Sequence, residues 1–239
     1  MQEIAFVTGA DRGLGLAICA SLLERNWRVF AGQYLPEWHE LTDLASQYPG
    51  LLHIIPLDVA SIESARNAAQ AVASEVDHID LLINNAGVNT PTKERKISEP
   101  QDYDEFHRMY NINAVGPIRV VEAFLPLMEQ SNLKRICFVS SEAGSIERCY
   151  RVSWYGYTMS KAALNRGVKI MFNHLRPEGF TFRLYHPGWV QSYIGGTKNT
   201  EADLIPEESA QAGISLFINP LPDEDHLALI DWQGEEWPW

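Results

Sequence analysis

Short apolar runs alternate with longer amphipathic segments along the whole chain. The apolar runs are rich in Ile, Val, Leu and Phe and lie at 4–9, 27–32, 51–59, 79–87, 134–141, 180–188 and 226–231. Several of them are almost continuously apolar, which is typical of strands that are buried on both faces of a parallel sheet. The pattern therefore predicts about seven β-strands.

The segments between these runs have the spacing of amphipathic helices. Apolar residues recur at steps of three and four in segments 14–26, 36–50, 61–76, 102–130, 157–179 and 206–218. Strands that alternate with helices predict an α/β fold, in which helices flank both faces of a doubly wound, Rossmann-type parallel sheet. Two irregular segments, 89–102 and 192–205, interrupt the alternation. Loops of that length in a compact domain are commonly functional or mobile.

Composition and charge narrow the class of protein. The 239 residues are 46% hydrophobic, which suits a single globular domain with one large core. The net charge of −12 disfavours nucleic acid and anionic lipid as partners, because phosphate groups bind Lys and Arg. No apolar run reaches the roughly 18 residues of a membrane span, and nothing resembling a signal peptide precedes the first run. We therefore expect a soluble cytoplasmic protein.

The cysteines and histidines lack the spacing of a metal site. The three cysteines, Cys19, Cys137 and Cys149, are odd in number, which favours buried free thiols in a reducing compartment. The histidines form no HxxxH or HxH pair. We expect no metal centre.

The first predicted strand ends in the glycine cluster TGADRGLG at 8–15, directly before a predicted helix. Gly9, Gly13 and Gly15 permit a tight turn and a close approach of the backbone to a ligand. The free N–H groups and the positive dipole end of the helix suit a pyrophosphate. Glycines between the first strand and the first helix of an α/β pattern therefore predict a dinucleotide site.

The residues around this turn bear on which dinucleotide binds. The second strand is expected to end near Gln33 and Tyr34, where an acidic residue usually holds the ribose 2′-hydroxyl of NAD. Gln33 is neutral, which leaves room for the 2′-phosphate of NADP, and Arg12 could pair with that phosphate. The carboxylate of Asp11 would instead repel a 2′-phosphate. Arg12 could also be a solvated turn residue without a role in binding. We expect NADP(H), with NAD(H) as the alternative.

The segment YGYTMSK at 155–161 places Tyr157 and Lys161 on one face of a predicted helix. A lysine ammonium one turn away stabilises a phenolate and lowers the pKa of the tyrosine from its usual value of about 10. Such a pair can act as a general acid and base. A tyrosine and a lysine that merely share a helix have the same spacing, so the pair needs support from the rest of the chain.

Five motifs together resemble the classical short-chain dehydrogenases/reductases. They occur in the order of that family and are TGADRGLG at 8–15, NNAG at 84–87, SSEAG at 140–144, YTMSK at 157–161 and HPGWVQS at 186–192. The phrases NAVGP at 113–117 and HPGWV, with the tail DWQGEEWPW, are most similar to its C-factor and Sniffer-type carbonyl reductase branch. The resemblance covers essentially the whole chain. It implies one dinucleotide-binding catalytic domain over 1–239, strand order 3-2-1-4-5-6-7, and a small substrate-loop region at about 192–218.

The resemblance also assigns residues by position. It implies a catalytic set formed by Asn113, Ser141, Tyr157 and Lys161. Tyr157 and Lys161 would also bind the cofactor, together with Gly9, Asp11, Arg12, Gly13, Leu14, Gly15, Gln33, Asp58, Val59, Asn85, Ala86, Gly87, Pro187, Gly188, Val190 and Ser192. The interval from Ser141 to Tyr157 is longer than the family pattern, and the extra length falls in an insertion at 145–154, on the substrate side.

The implied reaction is hydride transfer between a nicotinamide and a carbonyl or alcohol substrate. Tyr157 would give or take the proton, and Ser141 would hydrogen-bond the substrate oxygen. Lys161 would also hold the nicotinamide ribose, and Asn113 would support a proton relay towards Lys161. Two alternatives stay open: Ser141 could be a turn serine at a strand end, and Asn113 could satisfy a helix irregularity.

We therefore expect an NAD(P)-dependent oxidoreductase that acts on a small carbonyl or alcohol and forms a homodimer or homotetramer. Trp154, Trp189 and Tyr193 flank the motifs, where they either line an apolar substrate pocket or simply pack. The alternative function is a dinucleotide-binding sensor without significant turnover. A sugar-nucleotide epimerase is disfavoured, because too little chain follows Pro187 for a larger substrate domain.

Overall fold

One mostly parallel sheet forms the centre of the molecule in the computed structural model, which describes residues 2–239. Its strands are β1 Ile4–Val7, β2 Arg28–Gln33, β3 Leu52–Pro56, β4 Leu81–Asn84, β5 Arg135–Val139, β6 Thr181–His186, β7 Leu229–Asp231 and β8 Glu236–Trp237. Their order is β3-β2-β1-β4-β5-β6-β7-β8. β8 pairs antiparallel with β7, and the other pairs are parallel. The predicted fold and order are confirmed, with β8 as an addition too short to show as an apolar run.

Helices lie between the strands as the apolar spacing predicts. They are α1 Gly13–Leu23, α2 Glu40–Gln47, α3 Ile62–Ala73, α4 Tyr103–Tyr110, α5 Gly116–Glu129, α6 Tyr155–Leu175 and α7 Pro206–Ile218. Two of them differ in extent from the prediction. The helix expected over 36–50 begins only at Glu40, and the one expected over 102–130 is divided into α4 and α5 by a π-helical turn at Asn111–Val115.

Alternate strand residues enter two hydrophobic clusters, one on each face of the sheet. In β1, Phe6 belongs to one cluster, whereas Ala5 and Val7 belong to the other. Residues of α3, α5 and α6 complete the first cluster, and residues of α1 and α7 complete the second. Because both faces are covered, both sets of strand residues are apolar, which explains the continuous apolar runs.

Buried charges fix α7 to the sheet. The side chain of Arg183 in β6 forms a two-point ion pair with Glu224, at 2.6 and 2.7 Å. It also donates to the carbonyl oxygens of Leu216 and Asn219 at the end of α7. These bonds satisfy acceptors that a helix leaves free at its C-terminus. The helix that follows the 192–205 loop is thereby held in place.

The cysteines differ in environment. Cys19 and Cys137 are buried free thiols as predicted, but Cys149 is exposed, so the prediction is wrong for that residue. Burial raises the pKa of the Cys137 thiol to about 12. Cys149 escapes burial because it lies in the exposed stretch 146–150 of the insertion.

Neither a metal-binding group nor a membrane-spanning helix is found among residues 2–239. Among residues 2–239, no group of three or more His, Cys, Asp or Glu side chains could hold a metal ion. In the same part of the chain, no helix is sufficiently long and apolar to cross a bilayer.

Candidate active site

The carboxyl ends of the parallel strands open into one large cleft of about 1840 Å³. Pockets for small ligands typically measure about 300–1,000 Å³, so this cleft can hold a dinucleotide together with a substrate. The predicted site residues that line it are Gly9, Asp11, Arg12, Gly13, Leu14, Gly15, Asp58, Val59, Asn85, Ala86, Gly87, Ser141, Tyr157, Lys161, Pro187, Gly188, Val190 and Ser192. Gln33 and Asn113 are not among the lining residues.

The glycine turn is packed too closely to accept side chains at Gly9 and Gly15. A Cβ atom on Gly15 would lie 2.1 Å from the carbonyl oxygen of Gly9, and a Cβ on Gly9 would lie 2.9 Å from Ala86 Cα. Gly9 and Gly13 have left-handed φ angles of +63° and +57°, which favour glycine. α1 begins at Gly13 with no side-chain cap and no acidic residue in its first turn. Its free N–H groups therefore fit the pyrophosphate of a dinucleotide.

The end of β4 is fixed to this turn by polar side chains. Thr8 Oγ1 accepts hydrogen bonds from the backbone N–H groups of Asn85 and Ala86, at 3.0 and 2.9 Å. Asn85 Nδ2 donates to the carbonyl oxygens of Thr8 and Gly9, at 3.0 Å each. The side chain of Asn85 therefore connects the glycine turn to the segment after β4, which the motif predicts to bind ribose.

Asp11 is held inside the protein rather than presented freely to the cleft. It is 5% exposed, and its Oδ1 accepts hydrogen bonds from the N–H groups of Tyr34 and Leu35, at 2.9 and 2.7 Å. Gln33, the last residue of β2, is half-buried. The described contacts of Asp11 therefore connect the glycine turn to the loop after β2, and a direct contact with cofactor stays a prediction for both residues.

Tyr157 and Lys161 converge with Ser141 at the other end of the cleft. Tyr157 is 8% exposed and Lys161 is 3% exposed, both on α6. Ser141 follows β5 and lies close enough to Tyr157 to lower the pKa of its phenol, and the Ser141 side chain accepts from the N–H of Ala143 at 3.1 Å. Lys161 Nζ lies 5.8 Å from the centre of the Tyr157 ring and donates to the carbonyl oxygen of Val139 at 3.0 Å. The three predicted catalytic groups are therefore brought together.

Burial dominates the ionisation of this pair. It raises the pKa of Tyr157 to about 12, against a smaller lowering by the hydrogen bond with Ser141. It lowers the pKa of Lys161 to about 8. The expected lowering of the Tyr157 pKa by Lys161 is not observed. The physical reason is that both groups are desolvated and Lys161 is bonded to Val139 instead of the phenol.

Asn113 lies behind the cleft in the π-helical turn. Its Oδ1 accepts from the N–H of Val88 at 2.8 Å, and its Nδ2 donates to the Val88 carbonyl at 2.8 Å and to Ser160 Oγ at 3.0 Å. Ser160 Oγ in turn donates to the carbonyl oxygen of Tyr157 at 2.7 Å. A Cβ on Gly87 would touch both Asn113 Oδ1 at 3.4 Å and Lys161 Nζ at 3.7 Å. Asn113 thus connects the segment after β4 to α6, next to Lys161.

The substrate side contains an ion pair that the sequence reading missed. Glu142, directly after Ser141, accepts hydrogen bonds from both terminal nitrogens of Arg151, at 2.8 and 2.5 Å. Both side chains line the cleft but are mostly buried, at 18% and 14% exposed. Arg151 belongs to the insertion at 145–154, so the pair ties this insertion to the residue after Ser141, the predicted catalytic serine. The only available signal was the position of Glu142 beside Ser141.

The three flanking aromatic residues have different surroundings. Trp154 has a left-handed φ of +68°, and its ring meets that of Tyr157 edge-on at 6.2 Å. Its Nε1 donates to Glu94 at 2.8 Å, which joins α6 to the 89–102 loop. Trp189 lines the cleft and is 54% exposed. Tyr193 lies instead at the glycine turn, where it meets Trp38.

The 192–205 segment covers the cleft. Its Ile194 carbonyl accepts from the N–H of Asn89 at 2.8 Å, which joins it to the loop after β4. Val190 and Leu204 form an isolated parallel bridge at its base. The helix α7 that follows packs against α1, with Ile214 and Phe217 in the hydrophobic cluster of that face. The irregular part of the predicted 192–218 region is therefore confined to the residues before α7.

Comparisons with known proteins agree with this arrangement. The family model for short chain dehydrogenases matches residues 3–203. C-signal of Myxococcus xanthus is 41% identical over 161 residues, which covers 67% of this chain and 93% of that protein. An uncharacterized oxidoreductase of Schizosaccharomyces pombe is 38% identical over 241 residues, covering 95% of this chain and 94% of that protein.

Solved structures of carbonyl reductases have the same fold over their full length. The NADPH-bound carbonyl reductase from chicken fatty liver has a TM-score of 0.87 at 30% identity, and the Sniffer carbonyl reductase of D. melanogaster has 0.88 at 25% identity. Each match covers 100% of both chains. Since the family model spans most of the chain and the cleft has the required shape, this protein belongs to the short chain dehydrogenase family and is an NAD(P)-dependent oxidoreductase.

Proposed function

We propose that this protein is a carbonyl reductase that uses NADPH, with Tyr157 as the proton donor. The observation that carries the proposal is the convergence of Tyr157, Ser141 and Lys161 in the same cleft as the glycine turn. The nicotinamide would supply the hydride, and the protein would handle the proton.

Tyr157 is suited to give a proton during reduction. Burial raises its pKa to about 12, so the phenol is protonated at neutral pH and holds a proton at Oη. Ser141, whose hydroxyl lies near Tyr157 and lowers its pKa, would bond the substrate oxygen as negative charge develops there. A carbonyl oxygen in reach of both hydroxyls would be polarised and then protonated.

Lys161 would stabilise the tyrosine as it loses its proton. Its ammonium lies beside the ring of Tyr157, where positive charge favours the phenolate. The same ammonium would hold the nicotinamide ribose. Asn113, next to Lys161 behind Gly87, would maintain the proton path to Lys161 by fixing the segment after β4.

Three features support NADP(H) over NAD(H). Gln33 at the end of β2 is neutral, and the Oδ1 of Asp11 is already bonded to two backbone N–H groups. Arg12 lines the cleft beside the glycine turn, where its charge would attract a 2′-phosphate. The chicken liver carbonyl reductase was solved with NADPH, and a carbonyl reductase of Pseudomonas aeruginosa was solved with NADP. The remaining predicted cofactor residues line the same cleft.

The substrate side favours an uncharged carbonyl compound with apolar or aromatic substituents. Glu142 and Arg151 neutralise each other beside Ser141, so they offer no free charge to a substrate. Exposed apolar side chains at the mouth include Tyr150, Val152 and Trp189. Such a pocket stabilises apolar groups by removing them from water.

We also propose a homodimer or homotetramer in the cytoplasm. Support for association comes from apolar residues exposed on neighbouring helices, with Ile118 of α5 42% exposed and Ile170 of α6 59% exposed. Sedimentation equilibrium tests this, and a species of 27.0 kDa would contradict the assembly.

The test of the proposed function is a panel of aldehydes and ketones with NADPH, followed by nicotinamide absorbance. The proposal expects oxidation of NADPH that depends on the carbonyl compound and is faster than with NADH. Tight NADPH binding without turnover on any compound would favour the alternative, a dinucleotide-binding sensor. The Arg12→Ala variant then tests the cofactor preference, because it should weaken NADPH binding and spare NADH binding.

A further inference from the structure

The guanidinium group of Arg12 is packed against two aromatic side chains from different loops. Its carbon Cζ lies 4.0 Å from the centre of the Trp38 ring and 4.7 Å from that of the Tyr193 ring. The two rings lie 4.7 Å apart at an angle of 70°. Trp38 comes from the loop between β2 and α2, and Tyr193 from the 192–205 segment. We call these three residues the arginine stack.

The edge of the guanidinium remains free for a ligand. Within residues 2–239, the Arg12 side chain makes no hydrogen bond and no ion pair, and it does not cap α1. The Oδ1 atom of the neighbouring Asp11 is bonded to backbone N–H groups instead. A guanidinium recognises phosphate with two parallel N–H groups on its edge, whereas aromatic rings contact its faces. The two rings therefore hold the guanidinium carbon from one side, while the N–H groups of Arg12 have no hydrogen-bond partner among residues 2–239.

We propose that Trp38 and Tyr193 are positioning residues that hold Arg12 ready for the 2′-phosphate of NADP(H), and that they thereby set the cofactor preference. This inference rests on the proposed contact between Arg12 and that phosphate. A long, flexible side chain that is ordered before binding loses less conformational entropy when the ligand arrives. Because this smaller loss of entropy strengthens binding only of a ligand that Arg12 contacts, it favours NADP(H) over NAD(H).

Tyr193 also connects cofactor recognition to the segment that covers the cleft. The neighbouring Ser192 faces Gly13, where an added Cβ would lie 3.9 Å from Ser192 Cβ. On the other side, the carbonyl of Ile194 accepts from Asn89. Tyr193 thus anchors the covering segment at the glycine turn, and loss of its ring would release both Arg12 and the segment.

The experiment measures dissociation constants for NADPH and NADH by nicotinamide fluorescence in Trp38→Ala, Tyr193→Ala, Tyr193→Phe and Arg12→Ala. We expect Arg12→Ala to weaken NADPH binding by about tenfold or more and to change NADH binding little, since a charged hydrogen bond is lost only with NADPH. Trp38→Ala and Tyr193→Ala should weaken NADPH binding by about three- to tenfold relative to NADH. Tyr193→Phe keeps the ring and should keep the preference.

A double variant separates positioning from simple coverage of the cleft. If Tyr193 acts through Arg12, adding Tyr193→Ala to Arg12→Ala should not change the NADPH-to-NADH affinity ratio further. The matched control is Tyr103→Ala, which removes an exposed aromatic side chain from α4, outside the cleft. It should leave both affinities unchanged. Circular dichroism checks that each variant is folded, and the arginine stack is only half-buried, which makes its loss tolerable.

The outcomes distinguish the inference from the proposed function. An unchanged affinity ratio in Arg12→Ala would overturn the phosphate contact, and the inference with it. If the NADPH-to-NADH affinity ratio falls in Arg12→Ala but is unchanged in Trp38→Ala and Tyr193→Ala, the phosphate contact stands. The inference about the two aromatic residues is then overturned. Equal weakening of NADPH and NADH by Tyr193→Ala would also overturn it, because the ring would then only cover the cleft.

Discussion

Glu142 and Arg151 form a two-point ion pair beside Ser141, the proposed catalytic serine, with nitrogen-to-oxygen distances of 2.8 and 2.5 Å. The pair influences Tyr157 in two directions, since the carboxylate of Glu142 raises the phenol pKa and the guanidinium of Arg151 lowers it. Both are weaker effects than burial and the Ser141 hydrogen bond. The insertion at 145–154 therefore places a neutral ion pair near Tyr157, whose two opposite effects on the phenol pKa partly balance each other.

Removal of one charge should disturb this balance. In Glu142→Gln the guanidinium of Arg151 loses its partner, so we expect a higher KM and a pKa of Tyr157 below its wild-type value. The physical reason is that an uncompensated cation favours the Tyr157 phenolate. The control is Arg148→Gln, which removes a cation from an exposed position of the same insertion. Equal pH profiles and KM values in wild type and Glu142→Gln would contradict the claim that the ion pair influences Tyr157 and substrate binding.

The buried lysine predicts a pH dependence of carbonyl reduction. Burial lowers the pKa of Lys161 from its usual value to about 8. Below that pH the side chain is an ammonium that stabilises the developing phenolate, and above it the charge is lost. Reduction should therefore decline as the pH rises through about 8, measured as kcat at saturating cofactor.

The Lys161→Met variant separates this group from other titrating residues. It should be strongly impaired below the pKa of Lys161 and should lack the decline that the wild type shows near pH 8. Lys169→Met is the matched control, because Lys169 lies exposed on the same helix. An unaltered decline in Lys161→Met would show that another group titrates.

The glycine turn predicts a steric effect on cofactor binding. A Cβ in Gly15→Ala would meet the Gly9 carbonyl oxygen at 2.1 Å, so the turn has to move. We expect weaker binding of both NADPH and NADH by about tenfold or more, because the N–H groups of α1 no longer face the pyrophosphate. In Gly167→Ala, on α6, the nearest atom would be Ile118 Cδ1 at an ordinary 3.5 Å. Binding should be unchanged there, and fluorescence titration of both variants decides the point.

The sequence allowed prediction of those features that depend on local pattern. The strands were visible because both faces of the sheet are covered, as Phe6 and Val7 illustrate in β1. The π-helical turn around Asn113 was hidden, because the apolar spacing of α4 and α5 continues through it. The positions of Tyr157 and Lys161 on one helix were predictable, but the bond from Lys161 to Val139 was not.

Contacts between distant loops were beyond a single sequence. Trp38 and Tyr193 are far apart in the chain, and neither shows a pattern that indicates a stack on Arg12. Arg151 could not be assigned to Glu142, because the insertion that contains it lacks regular spacing. Such pairings depend on how loops fold over the cleft, whereas the motifs depend on where strands end.

The most direct test of the central claim compares Tyr157→Phe with Tyr155→Phe. Phenylalanine at 157 keeps the buried ring but removes the hydroxyl that would give the proton. The account predicts that NADPH oxidation with a reducible carbonyl compound falls by about 10²–10⁴-fold in Tyr157→Phe, with an unchanged dissociation constant for NADPH. Tyr155→Phe, which loses a hydroxyl earlier on the same helix, should keep its activity. Turnover by Tyr157→Phe at the wild-type rate would contradict the account.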